Sequence, residues 1–161
     1  MTDILFDTEN FKFSYRVAGI LVRDHKVLVQ KATDEEGYAF PGGHVSFGET
    51  NEQTLIREFK EELNVDIIVK NLKWVAEIFF PIRRKLCHQI CLYYIVNLSD
   101  EKQFLPETVF IGGEYLEGRS FDIEFHWIPV SELNKHEVYP PQAGKLILQL
   151  DQGVEHFVYK E

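Results

Sequence analysis

The chain has 161 residues and a net charge of −9, with 45% hydrophobic and 14% aromatic residues. This size and composition predict one globular domain, residues 1–161, that buries about two-thirds of the surface its unfolded chain exposes. The acidic balance argues against a protein that coats duplex nucleic acid, because such proteins are usually basic.

Neither a membrane span nor an export signal is evident. No apolar run approaches the roughly 20 residues that cross a bilayer, and residues 1–13 lack the basic and apolar regions of a signal peptide. We therefore expect a cytoplasmic protein without a membrane partner. Cys87 and Cys91, four residues apart on a predicted strand, would lie roughly 13 Å from each other. That is too far for a disulfide, so two buried, reduced thiols are expected.

The first half of the chain predicts a hairpin, a turn and a helix. Residues 11–22 first alternate between apolar and polar side chains and then are continuously apolar, which predicts a strand. Residues 26–32 predict a second strand that completes the hairpin. A polar loop follows at 33–37, and residues 38–40 are extended because Pro41 restricts the residue before it. The glycine turn at 41–43 leads into the helix.

The second half predicts mostly strands. Extended runs cover 65–69, 73–80, 86–98 and 121–130, and the polar, glycine-containing stretch 99–120 predicts a functional or mobile loop. Ser131 is the predicted cap of a short helix, and residues 143–150 have the apolar spacing of a C-terminal helix. Together these elements predict an α+β fold, a mixed sheet covered by helices.

The helix after the glycine turn has defined ends. Thr50 and Gln53 form a capping box, and Asn64 stands where a left-handed residue ends a helix. The apolar side chains expected on its core face are Leu55, Ile56, Phe59 and Leu63.

Three glutamates crowd a neighbouring face of the same helix. Glu58, Glu61 and Glu62 stand at i, i+3 and i+4, so they repel one another by roughly 0.2–0.5 kcal/mol per pair. A hard divalent cation, which prefers carboxylate oxygens, would relieve that repulsion. The alternative is an ordinary solvated acidic face. Arg57, which could pair with Glu49, favours the metal site.

The spacing of these residues resembles the Nudix box, the signature of the MutT-like Nudix hydrolases. The matching positions run from Gly43 through Glu49 to Arg57-Glu58, Glu61-Glu62 and Val65, with Asn64 where the family usually has glycine. The resemblance implies a Nudix fold, an α/β/α sandwich with a mixed β-sheet flanked by helices.

It also implies hydrolysis, dependent on Mg²⁺ or Mn²⁺, of a nucleoside diphosphate linked to another moiety. By position, the implied metal ligands are the Gly42 carbonyl, Glu58, Glu61 and Glu62. The implied catalytic residues are Glu49, Arg57, Glu58 and Glu61, with Glu49 and Arg57 orienting the loop against the helix.

The box leaves the general base and the substrate contacts open. Candidate bases are Glu58 and Glu61 on the helix and, later in the chain, Glu114, Glu117, Asp122 and Glu124. Candidate substrate-binding residues are Arg16, Arg83, Arg84 and Glu124. A solvated side chain is the alternative for each acid after residue 110 and for the basic turn.

Other functions remain open at this stage. A non-catalytic Nudix domain that senses a nucleotide or binds a partner protein would keep the fold without needing the carboxylates. An isomerase or an RNA-end-processing member of the family is a second rival. The expected partner is a nucleotide-type small molecule, and the choice between monomer and homodimer stays open.

Overall fold

The computed structural model describes residues 1–103, 105–106, 109–116 and 119–161, and for 113–116 and 119–121 it describes the backbone alone. Within these ranges the strands are β1 Leu5–Asp7, β2 Phe11–Arg23, β3 Lys26–Ala32, β4 Gly42–His44, β5 Ile67–Ile82, β6 Lys85–Leu98, β7 Phe110–Leu116, β8 Arg119–Pro129 and β9 Glu155–Lys160. The helices are α1 Asn51–Leu63 and α2 Ala143–Leu146, with 3₁₀ turns at Val130–Lys135 and Ile147–Gln149.

All of these strands join one mixed sheet, which confirms the predicted α+β fold. The strand order is β7-β8-β3-β2-β6-β5-β9, and both β1 and β4 also pair with β2. The β2–β6 and β5–β9 pairs are parallel, and the other pairs are antiparallel.

Strands β2 and β3 separate soon after their turn, and this separation creates the place for the glycine turn. They pair only through Val22 with Val27 and Arg23 with Lys26. Farther from the turn, Ala39 exchanges two backbone hydrogen bonds with Gln30 of β3, and β4 pairs with β2. The segment 38–44 is thereby wedged between two strands that would otherwise be neighbours.

The core lies in two layers, one on each side of the sheet. On the first side, Phe59 of α1 packs with Val17 and Phe125, which are fully buried. On the second side, Leu133 and Ile147 from the C-terminal segment pack with strand residues that include Trp74. None of the helices in the described ranges is long and apolar enough to cross a membrane.

In the C-terminal region two predictions are wrong and one strand was not predicted. The helix expected over 143–150 is only the four-residue α2 followed by a 3₁₀ turn, because apolar spacing does not distinguish a long helix from short turns that bury the same side chains. Ser131 does not cap a helix, because a 3₁₀ turn begins one residue earlier without a side-chain cap. Strand β9 was not predicted.

Other differences lie in the middle of the chain. The predicted loop 99–120 includes all of β7 and the start of β8, and these two strands form a hairpin. The runs at 65–69 and 73–80 belong to one strand, β5, whose register shifts around Leu72. Ile56 is 39% exposed rather than part of the core. Cys87 and Cys91 are buried free thiols, as expected.

Candidate active site

Local sequence fixes both ends of α1, as predicted. The Thr50 side chain accepts a hydrogen bond from the Gln53 amide at 3.2 Å, and the Gln53 side chain accepts one from the Thr50 amide at 2.9 Å. Asn64 ends the helix in the left-handed conformation, with φ 53°. Because Leu55, Phe59 and Leu63 are buried, the helix is held with its glutamates on a fixed side.

The glycine turn lies directly against this helix. A Cβ atom on Gly43 would stand 2.2 Å from Oε1 of Glu58, so the absence of a side chain lets that carboxylate rest on the turn. A Cβ atom on Gly42 would stand 2.0 Å from the Val17 carbonyl oxygen of β2. Glycine is required at both positions, because any side chain would collide with these neighbouring atoms.

Substitution of Gly43 by alanine should displace the Glu58 carboxylate and lower the turnover of the hydrolase activity that the sequence predicts. We expect kcat to fall at least about tenfold, with a loss of roughly 1–3 kcal/mol in the free energy of unfolding from overpacking. Steady-state kinetics and urea denaturation would measure the two effects. Gly153→Ala is the matched control, because a Cβ atom there meets nothing within 4 Å. Unchanged turnover in Gly43→Ala would contradict the close contact.

Arg57 connects the turn, the loop and the helix. Its Nε and Nη2 atoms donate to Oε1 and Oε2 of Glu49 at 2.8 and 3.0 Å, a two-point fork. Its Nη1 atom donates to Glu58 at 2.8 Å and to Glu61 at 3.4 Å, and Nη2 also reaches the His44 carbonyl at 3.4 Å. The guanidinium group therefore gathers three carboxylates around one positive charge.

These contacts set the charge state of the group. The hydrogen bond from Arg57 lowers the pKa of Glu49 to about 2, and Glu49 in turn raises the pKa of Arg57. Burial raises the pKa of Glu58, because desolvation penalises the anion, although Arg57 opposes that effect. A further positive charge beside Glu58 would favour its ionised form.

The donor atoms on this side of α1 suit a hard divalent cation. Glu58 and Glu61 both reach the same Arg57 nitrogen, which brings two carboxylates together, and Glu62 is the next residue on the helix. These are oxygen ligands of the kind that Mg²⁺ and Mn²⁺ prefer. In the part of the chain that the structure describes, no three His, Cys, Asp or Glu side chains converge closely enough to hold an ion.

A cavity of about 380 Å³ lies on the second side of the sheet. Its apolar lining includes Phe40, Tyr93 and Tyr159, and Arg16 stands among its polar residues. The Nη2 atom of Arg16 also donates to the Gly42 carbonyl at 3.4 Å. Arg16 therefore connects this cavity to the glycine turn against which Glu58 rests.

The structure places Glu124, the acid predicted near the active site, in a different setting. It accepts a hydrogen bond from His126 at 3.0 Å and pairs with Lys31 at 3.7 Å. Its strand neighbours Ile123 and Phe125 belong to the core on the α1 side. Because side chains alternate along a strand, Glu124 points to the opposite side of the sheet from α1.

The remaining predicted residues are not gathered at the carboxylates. Asp122 is exposed, and Arg83 and Arg84 form the exposed turn between β5 and β6. Glu117 and the side chain of Glu114 lie outside the described residues.

Sequence reasoning missed most of the cavity. Its lining comes from segments far apart in the chain, including Glu35, Gln89, Tyr139 and Glu161. No local pattern links them, because they come from a loop, a strand, the C-terminal segment and the end of the chain, which meet only in the tertiary structure. His44 is a further missed neighbour of this region. Burial and the charge of Arg16 lower its pKa to about 4, so the ring is neutral at pH 7.

Several known proteins resemble this chain in sequence. A family profile described as the NUDIX domain matches residues 13–150. The RNA pyrophosphohydrolase of Acinetobacter baylyi is 33% identical over 92% of this chain and 95% of its own length. The ADP-ribose pyrophosphatase of Methanocaldococcus jannaschii is 36% identical over 51% of this chain, and that match spans about half of the archaeal protein, 49%.

Solved structures show the same fold at lower identity. The MutT protein of Bacillus halodurans superposes with a TM-score of 0.58 at 18% identity, covering 91% of this chain and 90% of that one. An ADP-ribose pyrophosphatase of Streptococcus suis gives 0.58 at 13% identity, covering 92% and 98% of the two chains.

Proposed function

The chain belongs to the Nudix family of hydrolases, and from that premise we propose that it is a divalent-metal-dependent pyrophosphohydrolase. Its substrate would be a nucleoside diphosphate linked to another moiety, cleaved by attack of water on phosphorus. Residues 1–161 would act as a single Nudix domain. Because relatives are named ADP-ribose pyrophosphatase and RNA pyrophosphohydrolase, ADP-ribose and RNA are among the substrates to be tested.

One observation carries this proposal: Arg16 lines the cavity and also donates a hydrogen bond to the Gly42 carbonyl of the glycine turn. A nucleoside in the aromatic cavity would have its phosphates beside the Arg16 guanidinium, a group that binds phosphate in a two-point geometry. From there the diphosphate would extend past the Gly42 carbonyl to the carboxylates of α1. The cavity volume, about 380 Å³, lies within the range of small-ligand sites.

Each residue of the proposed site has a distinct task. Glu58, Glu61 and Glu62, with the Gly42 carbonyl, would hold Mg²⁺ or Mn²⁺. Once bound, the metal supplies charge neutralisation for the diphosphate and lowers the pKa of a coordinated water. Arg57 and Glu49 position the glycine turn and Glu58, because their fork joins the loop to the helix.

The general base would be a carboxylate of the same helix. Glu61 is the favoured candidate, because its side chain is 60% exposed, whereas that of Glu58 is 13% exposed and hydrogen bonded to Arg57. An exposed carboxylate can reach a water molecule beside the diphosphate and accept its proton. Glu124 is not proposed for this role, because its carboxylate already contacts Lys31 and His126.

A substrate panel tests the proposal against the rival of a nucleotide sensor that does not hydrolyse. Release of phosphate or nucleoside monophosphate would be measured with nucleoside triphosphates, nucleotide sugars, ADP-ribose, dinucleoside polyphosphates and 5′-triphosphorylated RNA. We expect turnover of at least one compound that requires Mg²⁺ or Mn²⁺. Tight calorimetric binding of a nucleotide with no product in either metal would instead support the sensor.

Arg16→Gln should weaken substrate binding more than it slows the chemical step. Losing a charged phosphate contact should raise KM at least about tenfold, equivalent to 1.4 kcal/mol. Steady-state kinetics on the best compound of the panel would separate KM from kcat. Lys12→Gln is the control, because Lys12 lies on the same strand and the same face but does not line the cavity. An unchanged KM in Arg16→Gln would contradict the proposed contact between the substrate phosphates and Arg16.

A further inference from the structure

Aromatic side chains cross the sheet on the α1 side, just beyond the start of that helix. Phe6 lies beside Phe13, Phe13 beside His88, and His88 beside Phe79, with ring centroids 6.1, 5.9 and 4.3 Å apart. These four rings, here called the aromatic row, come from four different strands, β1, β2, β6 and β5. Their strand pairing fixes the row as part of one flat surface.

The row belongs to a larger exposed apolar patch. Phe47 contacts Phe6 with centroids 6.5 Å apart, and Phe11 and Leu86 form the next row toward the sheet end. Phe6, Phe11, Phe47 and Leu86 are each between 50% and 61% exposed. Contiguous exposed patches of large apolar residues mark interaction sites, because leaving them in water is unfavourable.

Two turns of opposite charge border this patch at the same end of the sheet. The turn between β1 and β2 carries the exposed Glu9, and the turn between β5 and β6 carries the exposed Arg83 and Arg84. In the described part of the chain no ion pair is formed by Glu9 or by either arginine. Both arginines have positive φ, 44° and 68°, where Asn or Gly is preferred, so turn geometry does not account for them.

We propose that this patch binds a second copy of the chain in a symmetric homodimer. The two-fold axis would run parallel to the strands, between β2 and β6. It would place β1 of one copy opposite β5 of the other. It would bring Phe6 of one copy beside Phe79 of the other, over whose ring Lys160 lies at 5.3 Å from the centroid. It would also bring Glu9 opposite the turn of Arg83 and Arg84. The patch would thus match apolar side chains with apolar side chains and place opposite charges face to face, as a two-fold interface requires.

The mixed charge of the border favours a second copy over single-stranded nucleic acid. Glu9 and the net charge of −9 would repel a phosphate backbone, whereas the second copy presents the matching arginines to Glu9. The interface would also cover Phe47, which lies two residues before Glu49 in the loop held by Arg57. Association would therefore support the loop that positions the proposed active site.

Analytical ultracentrifugation over a dilution series tests the dimer without using catalysis. The unmodified chain should sediment as a dimer, and Glu9→Arg or Arg84→Glu alone should raise the dimer dissociation constant at least about tenfold, because each creates like charges across the interface. The double variant Glu9→Arg/Arg84→Glu should regain most of the lost affinity. Glu101→Arg, an exposed acid remote from the patch, should change nothing.

Phe6→Ser should also dissociate the dimer. Leu148→Ser is the control: Leu148 is 55% exposed and Phe6 54%, but Leu148 lies outside the patch, so its variant should remain a dimer. Circular dichroism would confirm that each variant is folded. A chain that is monomeric at every concentration would overturn the proposal, as would a dimer indifferent to these changes. Binding of an RNA oligonucleotide by the monomer through Phe6 would assign the patch to nucleic acid instead. Each of these readouts is obtained without substrate, so the result is independent of whether the chain hydrolyses a nucleotide.

Discussion

Glu61→Gln is expected to reduce kcat at least about a hundredfold, the scale of losing a general base or a metal contact. The amide keeps the size of the side chain but accepts no proton at neutral pH and carries no negative charge. The Glu61 side chain is 60% exposed, and its contact with Arg57 is long, 3.4 Å. Removing the charge of Glu61 should therefore leave the fold intact. Single-turnover and steady-state kinetics would measure the effect.

The control for this prediction is Glu52→Gln in the first turn of the same helix. Glu52 is exposed and contributes no side chain to the proposed site, so its variant should hydrolyse substrate at the rate of the unmodified chain. Circular dichroism and thermal unfolding should be alike for both variants. A Glu61→Gln protein with undiminished turnover would refute the assignment of this helix face to catalysis.

Arg57→Lys should damage both stability and turnover, although it keeps the charge. A lysine ammonium cannot form the two-point fork with Glu49 while also reaching Glu58, because it lacks the planar geometry of guanidinium. We expect the free energy of unfolding to fall by roughly 2–3 kcal/mol, the scale of charged hydrogen bonds in a partly buried site. We also expect kcat to fall at least about tenfold, since the glycine turn loses its support.

Urea denaturation at pH 7 would measure the stability loss. Lys60→Ala is the matched control on the same helix, because its pair with Asp66 is exposed and such pairs contribute only about 0–1 kcal/mol. Equal stability losses in the two variants would contradict the central role of Arg57.

The acid dependence of stability gives an independent measure of the Glu49–Arg57 pair. The pKa of Glu49 is lowered from 4.5 to about 2 in the folded chain. Its ionised form therefore stabilises the fold fully above pH 4.5, and this contribution disappears as the pH falls toward 2. In Arg57→Lys the folded pKa should move back toward 4.5, so less stability should be lost between these pH values.

Sequence alone identified the helix that carries the proposed site, and the reason is that the relevant forces there are local. The Thr50–Gln53 capping box, the left-handed Asn64 and the i, i+3, i+4 spacing of the glutamates act within a few residues of one another. They can therefore be seen without knowing any tertiary contact. The Glu49–Arg57 pair, eight residues apart, was also predicted, and the structure forms it.

The fold was predicted in class but not in several details. Strand β9 is short and exposed on alternate residues, and it exists because it pairs with β5, a contact far away in the chain. The predicted C-terminal helix failed because apolar spacing alone cannot tell a long helix from a short turn that buries the same side chains. Strand β7 is defined by its pairing with β8, and its residues carry no continuous apolar pattern.

The chemistry that this protein can offer follows from its sequence: three carboxylates and an arginine on one capped helix, beside a glycine turn. The direction in which these groups point follows from the packing of the strands. The separation of β2 from β3 admits the glycine turn, and strand register points Arg16 toward the aromatic cavity and Glu124 away from the helix. Such choices depend on pairing between distant strands, in which a shift of one residue turns every side chain to the opposite face.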